Sequence, residues 1–211
     1  MALFFHEKLH RTAEVVERMH ACPVTICGAG ALGANIAESL ARAGFKQFKI
    51  IDYDRVEERN LSTQPYQRGD IGAFKARMMA NMLYRAVGAK VEAQTQRLTD
   101  ENVHKLLGGS TLVVDTFDNS VGRRIVKDWC AEAGTPCLHA GLAADYAEII
   151  WNDRYRVPSP AHDDVCDYPL ARNLVTLAVS VACEVLVDFV ATGAQQSYTV
   201  TLADFAVRPF V

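Results

Sequence analysis

Short apolar runs alternate with amphipathic segments along most of this chain, a pattern typical of strands that alternate with helices. The apolar runs predict strands at residues 23–27, 48–52, 91–98, 111–116, 136–142 and 147–151, and a last strand or hairpin at 197–209. The helical periodicity predicts helices at residues 5–20, 31–43, 73–86, 121–133 and 171–192, with a short helix after Thr99.

This order predicts an α/β protein with a Rossmann-like three-layer fold. It would have a largely parallel sheet, helices on both faces and extra C-terminal strands. We expect one domain over residues 1–211, with a core at 22–152, a mobile loop at 153–171 and a C-terminal helix and strand at 172–211. The polar connection at 53–72 is long for a strand-to-helix loop, and such loops often carry function.

Composition narrows the classes of partner. The chain has 211 residues, 50% of them hydrophobic, which is enough for one sizeable core. Its net charge of -3 gives no broad attraction for nucleic acid or an anionic membrane, so neither is expected as a partner. Glu184 and Asp188 interrupt the longest apolar run, which favours a buried core or dimer-interface helix over a membrane span.

The N-terminal segment and the cysteines indicate the compartment. The first twenty residues lack the apolar block of a signal peptide, and the 6 cysteines include no Cys-x-x-Cys pair. Cys27, Cys130 and Cys183 lie in apolar or helical patterns, where cysteines pack as small hydrophobes. We therefore expect a cytoplasmic protein with no structural zinc.

A glycine-rich turn follows the first predicted strand. Gly28, Gly30 and Gly33, with Leu32 between them, join an apolar strand to a helix, and such a turn lets a phosphate approach the backbone. Asp52 ends the second strand, where an acid is expected to accept ribose hydroxyls. A tight turn without a ligand and a carboxylate that caps a loop are the structural alternatives.

Polar residues downstream change what the turn means. Asn60, Gln64, Lys75 and Asp118 have no evident use in hydride transfer, whereas an enzyme that splits ATP needs such groups. Lysine supplies positive charge where negative charge grows, and a carboxylate suits Mg²⁺. Taken singly, a lysine in a first helical turn is usually a solvated surface residue, and an aspartate after a strand is usually a helix cap.

Five ordered motifs resemble the ThiF/MoeB/HesA family, the bacterial relatives of ubiquitin-activating E1 enzymes. They are Gly-Ala-Gly-Ala-Leu-Gly at 28–33, Ile-Ile-Asp-Tyr-Asp at 50–54, Asn-Leu-Ser-Thr-Gln at 60–64, Gly-Ala-Phe-Lys at 72–75 and Asp-Thr-Phe-Asp-Asn at 115–119. Their order and spacing are similar to the family over residues 22–152, which would make this segment the nucleotide-binding core of an E1-like adenylation domain.

The resemblance implies a reaction with ATP and Mg²⁺. An enzyme of this family adenylates the C-terminal glycine carboxylate of a small ubiquitin-like carrier, ThiS- or MoaD-like and ending in Gly-Gly, and releases pyrophosphate. It also implies that Lys75 and Asp118 are catalytic, that Asp118 holds the metal and that the protein is a homodimer. The implied nucleotide contacts are Gly28, Gly30, Leu32, Gly33, Asp52, Asp54, Asn60, Gln64, Lys75 and Asn119.

The sequence departs from the family pattern at Thr63, where the family usually has an arginine that contacts the β- and γ-phosphates. Arg59 and Arg68 flank this position and are candidates to replace it. The paired zinc cysteines of many members are absent. The family often lends an arginine from a neighbouring subunit's N-terminal helix, and Arg11 is the candidate here, with an exposed helix charge as the alternative.

Cys166 lies in the predicted loop, roughly where E1 relatives place the cysteine that accepts the carrier. A loop thiol is accessible to a partner, but the three aspartates around it disfavour the thiolate. A covalent role and an unreactive loop thiol therefore both stay open.

Two other functions also stay open. An NAD(P)-dependent oxidoreductase accounts for the glycines and Asp52 and leaves Asn60, Lys75 and Asp118 without a task. A non-catalytic E1-like subunit that binds a carrier accounts for the loss of the arginine at Thr63.

Overall fold

The computed structural model describes residues 3–159 and 169–210. Its strands are β1 (Pro23–Cys27), β2 (Gln47–Ile51), β3 (Lys90–Gln94), β4 (Val113–Asp115), β5 (Cys137–Ala143), β6 (Tyr146–Trp151), β7 (Tyr198–Thr201) and β8 (Ala206–Pro209). Its α-helices are α1 (Phe5–Arg11), α2 (Ala13–Ala21), α3 (Ala31–Ala43), α4 (Lys75–Val87), α5 (Val103–Leu107), α6 (Ser120–Ala133) and α7 (Arg172–Thr192). Two short 3₁₀ helices, Glu58–Ser62 and Arg68–Asp70, lie in the polar connection after β2.

The strands form one mixed sheet in the order β3-β2-β1-β4-β5-β6-β7-β8. Neighbours from β3 to β5 are parallel, and the pairs from β5 to β8 are antiparallel. Two residues separate β5 from β6, too few for a parallel crossover, so the sheet must change direction there. The predicted parallel core with extra C-terminal strands is confirmed.

Helices cover both faces of the parallel core. Side chains of α2, α3, α4 and α7 pack on one face in a large hydrophobic cluster, and those of α5 and α6 pack on the other. Successive strand residues alternate between the clusters: Ile26 and Ile50 point to the first, Cys27 and Ile51 to the second. Central strands that are covered on both faces, such as β1, are mostly apolar, which is why they appear in the sequence as short continuous apolar runs.

The N-terminal region differs from the prediction of one helix. Thr12 breaks it into α1 and α2, with a φ of 78°, and its hydroxyl accepts a hydrogen bond from the Val15 N–H at 3.4 Å. Threonine is a good N-cap because its short side chain satisfies a free amide of the first turn. The periodicity of the apolar positions continues across the break and so conceals it.

The helix α7 is long and apolar enough to cross a membrane by length and composition, the one such helix in residues 3–159 and 169–210. In the structure its buried side chains, such as Leu174, Ala182 and Leu186, belong to the large cluster and pack with α3 and β6. These contacts agree with the interpretation of α7 as a core helix.

Arg11 ties α1 to α7. Its guanidinium donates to both carboxylate oxygens of Glu184, at 2.8 and 2.7 Å, and its Nε donates to Glu7 at 2.8 Å. The hydrogen bonds from Arg11 lower the pKa of Glu184. A bidentate pair of this kind restrains both partners more than a single contact does.

We predict that Glu184→Gln lowers the stability at pH 7 by about 0.5–1 kcal/mol, since the pair is partly exposed. The folded pKa of Glu184 lies below its unfolded value, so the contribution is present above that unfolded value and is lost as the pH falls through the folded pKa. Thermal unfolding from pH 7 to pH 3 should show the gap between variant and wild type closing. Glu14→Gln, which breaks the exposed Arg18 pair, is the control; a pH-independent gap contradicts the prediction.

Candidate active site

Two glycines of the turn, Gly28 and Gly33, are required by the backbone and its packing, whereas Gly30 borders open space. Gly28 has a φ of 96°, and a Cβ on Gly33 would lie 2.0 Å from the Gly28 carbonyl oxygen. Neither position accepts a side chain. A Cβ on Gly30 would meet nothing within 4 Å among the described atoms, and its φ of -82° is open to any residue. The protein itself gives no reason for glycine there, whereas a ligand approaching the backbone does.

Three strand ends meet at this turn. The Gly28 N–H donates to the Ile51 carbonyl at the end of β2, and the Thr116 N–H, just after β4, donates to the Cys27 carbonyl at the end of β1, both at 2.9 Å. The turn, the residues after β2 and the loop after β4 therefore share the carboxyl edge of the sheet. This edge is where the topology of the fold places ligands.

Asp52 holds the turn in place. Its carboxylate accepts the Ala29 N–H at 2.6 Å and the Asp54 N–H at 2.7 Å. Burial raises the pKa of Asp52, and the charge of Lys75 and the two backbone donors oppose the rise. Each oxygen keeps a second lone pair, so the ribose contact predicted from the sequence remains available beside this structural role.

Lys75 is buried at the start of α4. It is only 7% exposed, its Nζ lies 3.3 Å from Asp54 Oδ2, and its N–H donates to the Asp54 carbonyl at 2.9 Å. The interpretation of Lys75 as a solvated surface lysine is therefore wrong. A buried ammonium with one half-exposed carboxylate partner can still bind an anion beside it.

The polar connection after β2 contributes two amides. Asn60 Oδ1 accepts the Glu57 N–H at 2.8 Å, which caps the 3₁₀ helix. Gln64 is 8% exposed, and its Oε1 is buried with no hydrogen-bond partner among the described residues. A buried acceptor without a donor is costly, and a bound hydroxyl or amino group would satisfy it.

Two residues that sequence reasoning missed, Asn35 and Tyr66, bond this connection to the turn. Asn35 Nδ2 donates to the Ala31 carbonyl at 2.6 Å and to the Thr63 carbonyl at 2.8 Å, and Tyr66 Oη donates to the Ala29 carbonyl at 2.8 Å. An asparagine inside an amphipathic helix is typical of the solvent face, and a lone tyrosine in a polar loop has no distinctive spacing. Neither had a signal in the sequence.

Asp118 and Asn119 follow β4 with different tasks. Asn119 Oδ1 caps α6 by accepting the Gly122 N–H at 2.8 Å. Asp118 is exposed, and among the described residues it receives one long hydrogen bond, from Asn119 Nδ2 at 3.4 Å. The alternative in which Asp118 caps the helix is therefore wrong, and its carboxylate faces solvent at the edge of the site.

One exposed carboxylate fits a magnesium ion bound mainly through phosphate. Mg²⁺ usually takes one or two protein carboxylates and completes its octahedron with phosphate oxygens and water. No group of three or more His, Cys, Asp or Glu side chains within residues 3–159 and 169–210 is arranged to hold a metal by itself. Asp118 is the residue that would contact a metal carried in with the nucleotide.

A buried network supports the loop that carries Asp118. Asp115 Oδ1 accepts the Phe117 N–H at 3.1 Å, and its Oδ2 lies 2.8 Å from His139 Nδ1. His139 Nε2 lies 2.7 Å from Asn152 Oδ1, and the Tyr155 ring stacks on the imidazole at 3.8 Å. Sequence reasoning did not find His139, and these contacts make it a positioning residue for the loop after β4.

The other predicted residues are not part of this cluster. Arg11 is held by Glu184, which lies twelve residues beyond Arg172 on α7, about 18 Å along the helix axis. The role of Arg11 in a neighbouring subunit stays a prediction. Cys166 and residues 160–168 of the predicted mobile loop lie outside the described residues.

Residues 7–163 match the family model described as ThiF family. The chain belongs to the ThiF family. The match spans most of the sheet and the whole glycine turn, and it confirms the resemblance drawn from the five motifs.

Curated relatives of this ThiF-family chain carry the names of an adenylyltransferase and of an activating enzyme. A sulfur carrier protein adenylyltransferase of Thermus thermophilus is 35% identical over 129 residues, 60% of this chain and 47% of that protein. A SAMP-activating enzyme E1 of Haloferax volcanii is 34% identical over 128 residues, 59% of this chain and 47% of that protein. The chain spans less than half the length of these two relatives.

Solved structures share the fold. A crystal structure of E. coli MccB with ATP superposes with a TM-score of 0.83 at 16% identity, covering 100% of this chain and 71% of that one. The structure of PaaA gives a TM-score of 0.76 at 19% identity, covering 97% of this chain and 68% of that one. At this level of identity the likeness concerns the fold alone.

Two glycine variants should distinguish a glycine needed for folding from one needed for ligand binding. Gly33→Ala forces a Cβ against the Gly28 backbone and should destabilise the protein by about 2–3 kcal/mol. Gly30→Ala should change the stability by less than about 1 kcal/mol, because open space surrounds the new methyl group. Thermal unfolding with and without ATP·Mg²⁺ should then show the ATP-induced shift lost in Gly30→Ala; a full shift in this variant contradicts a phosphate site at the turn.

Proposed function

We propose that this ThiF-family protein binds ATP and transfers its AMP group to the C-terminal carboxylate of a small ubiquitin-like carrier. The observation that carries this proposal is the buried Lys75 ammonium beside Asp54, at the sheet edge where Gly30 leaves space against the backbone. A hydride-transfer site has no need of this cation, whereas attack on a phosphate does. The names of the curated relatives support the same class of reaction.

The reaction balances without a proton transfer. An oxygen of the carrier's carboxylate forms a bond to the α-phosphorus, and the bond from that phosphorus to the oxygen bridging to the β-phosphate breaks. Pyrophosphate leaves with the electron pair, and the carrier keeps an acyl-adenylate. Because the attacking carboxylate and the phosphate are both anions, positive charge must be present before they meet.

The residues of this chain supply that charge and the orientation. The first-turn amides of α3 face the phosphates through the glycine turn, and Lys75 adds a point charge from the start of α4. Asp52 and the Gln64 oxygen, which lacks a donor, hold the nucleoside end. Asp118 would hold Mg²⁺, which neutralises the phosphates of the bound nucleotide.

The wider setting of the reaction belongs to the same proposal. The carrier ends in Gly-Gly, and the protein works as a homodimer in the cytoplasm. The acyl-adenylate passes to a sulfur donor or to a thiol, for which Cys166 is the candidate. Retention of a thiol-labile carrier adduct by Cys166→Ala would remove that residue from the mechanism.

Nucleotide selectivity distinguishes this function from the oxidoreductase. We expect ATP·Mg²⁺ to raise the thermal unfolding temperature by several degrees at saturation and NADH to leave it unchanged, because binding to the folded state alone stabilises it. The measurement is a thermal unfolding series over nucleotide concentration. Protection by NADH without protection by ATP would support hydride transfer and overturn the proposal.

Pyrophosphate exchange tests the catalytic residues. With a Gly-Gly-ended carrier, Lys75→Ala and Asp118→Ala should each lower exchange about 100- to 1000-fold, as the loss of one preorganised charge does. Lys105→Ala, at an exposed site on α5, is the matched control and should exchange normally. Near-normal exchange in Lys75→Ala or Asp118→Ala removes that residue from the mechanism. ATP binding with no exchange for any ThiS- or MoaD-like carrier favours the non-catalytic subunit.

A further inference from the structure

The first residue of α7 lies beside the polar connection. Arg172 Nη1 donates to the Ser62 carbonyl at 3.3 Å, across 110 residues of sequence. Within residues 3–159 and 169–210 this is the hydrogen bond that its guanidinium makes, and the side chain is exposed. Four of its five N–H donors are therefore not engaged by the described residues.

A short series of contacts joins Arg172 to the glycine turn. Ser62 precedes Thr63, whose carbonyl accepts from Asn35 Nδ2 at 2.8 Å. The same amide nitrogen donates to the carbonyl of Ala31, the residue directly after Gly30. The Arg172 guanidinium thus contacts the same stretch of the polar connection that Asn35 bonds to the first turn of α3.

The position of Arg172 is not explained by helix stability. It opens a helix of 21 residues that has no side-chain cap and no acidic residue in the first turn. A cation at this end is disfavoured, because the free N–H groups there already carry partial positive charge. The guanidinium and the helix end together make a corner that attracts anions.

The side chains around the glycine turn carry more negative than positive charge, so a further cation is needed to bind a triphosphate. Asp52, Asp54 and Asp118 place three carboxylates around the turn, and Lys75 is the buried cation among them. Thr63 is neutral, and the Arg59 Nε is bonded to Glu57 at 2.6 Å. A triphosphate brings further negative charge, most of it at the end remote from the reacting α-phosphorus.

We propose that Arg172 binds the terminal phosphates of ATP, exchanging its contact with the Ser62 carbonyl for the phosphate oxygens. This inference rests on the proposed function, because it needs ATP as the ligand. Arginine suits the task, since its planar fork donates two parallel hydrogen bonds to a phosphate. The group it binds is the pyrophosphate that leaves, so Arg172 also stabilises charge on the leaving group.

The test compares ATP with AMP, which lacks the groups that Arg172 would bind. By titration calorimetry, Arg172→Ala should weaken ATP·Mg²⁺ binding about 10- to 100-fold and AMP binding less than about 2-fold. Arg172→Gln keeps a donor for the Ser62 carbonyl and loses the charge, so it should behave like Arg172→Ala. Arg42→Ala, an exposed arginine paired with Glu38 near the other end of α3, is the control and should bind both nucleotides normally.

Three outcomes would overturn the inference. Arg172→Ala could weaken ATP and AMP equally, Arg172→Gln could restore ATP binding, or both variants could bind ATP as the wild type does. The first two would assign Arg172 to holding the connection through Ser62. In each of these cases the wild type still binds ATP. Failure of the proposed function would appear in the wild type instead, either as no binding of ATP or as ATP binding without pyrophosphate exchange.

Discussion

One buried carboxylate determines the shape of the site. Asp52 accepts two backbone N–H groups, one from the glycine turn and one from the polar connection, and so holds the ends of β1 and β2 together. The turn cannot relax in another direction, because Gly33 packs directly on the Gly28 carbonyl. The positions of Lys75 and of the first turn of α3 depend on this arrangement, since Lys75 is hydrogen-bonded to the backbone of Asp54.

The free-energy cost of burying the Asp52 carboxylate is offset by groups next to it. Burial favours its neutral form, and Lys75 with the two amides favours the ionised form. A single lysine thus acts toward two carboxylates of its own chain and, in the proposed reaction, toward a phosphate. A site so arranged is preorganised, because its charges need little movement when an anion arrives.

The sequence predicted those features that depend on residues close together in the chain. Strand and helix periodicities depend on neighbouring residues, the glycines and Asp52 lie at positions that strand ends define, and Lys75 lies at a predicted helix start. The contacts that were missed join distant segments: Arg172 with Ser62, His139 with Asp115. No periodicity encodes such pairs, because they exist only after the sheet has been assembled. Even the break at Thr12 was concealed, since the apolar positions of α1 and α2 remain in phase.

The neighbouring strands β6 and β7 are far apart in the chain. Between Trp151 and Tyr198 the chain contains α7, which packs on α3 and β6. Closing a loop of this length costs about 3 kcal/mol in chain entropy, and the packing of α7 on α3 and β6 offsets it. Long-range pairing of this kind is slow to form, because the entropy of loop closure is lost before the contacts between the strands are gained. The helix whose packing lets β7 join β6 also carries Arg172 as its first residue, so the far edge of the sheet and the candidate phosphate contact share one structural element.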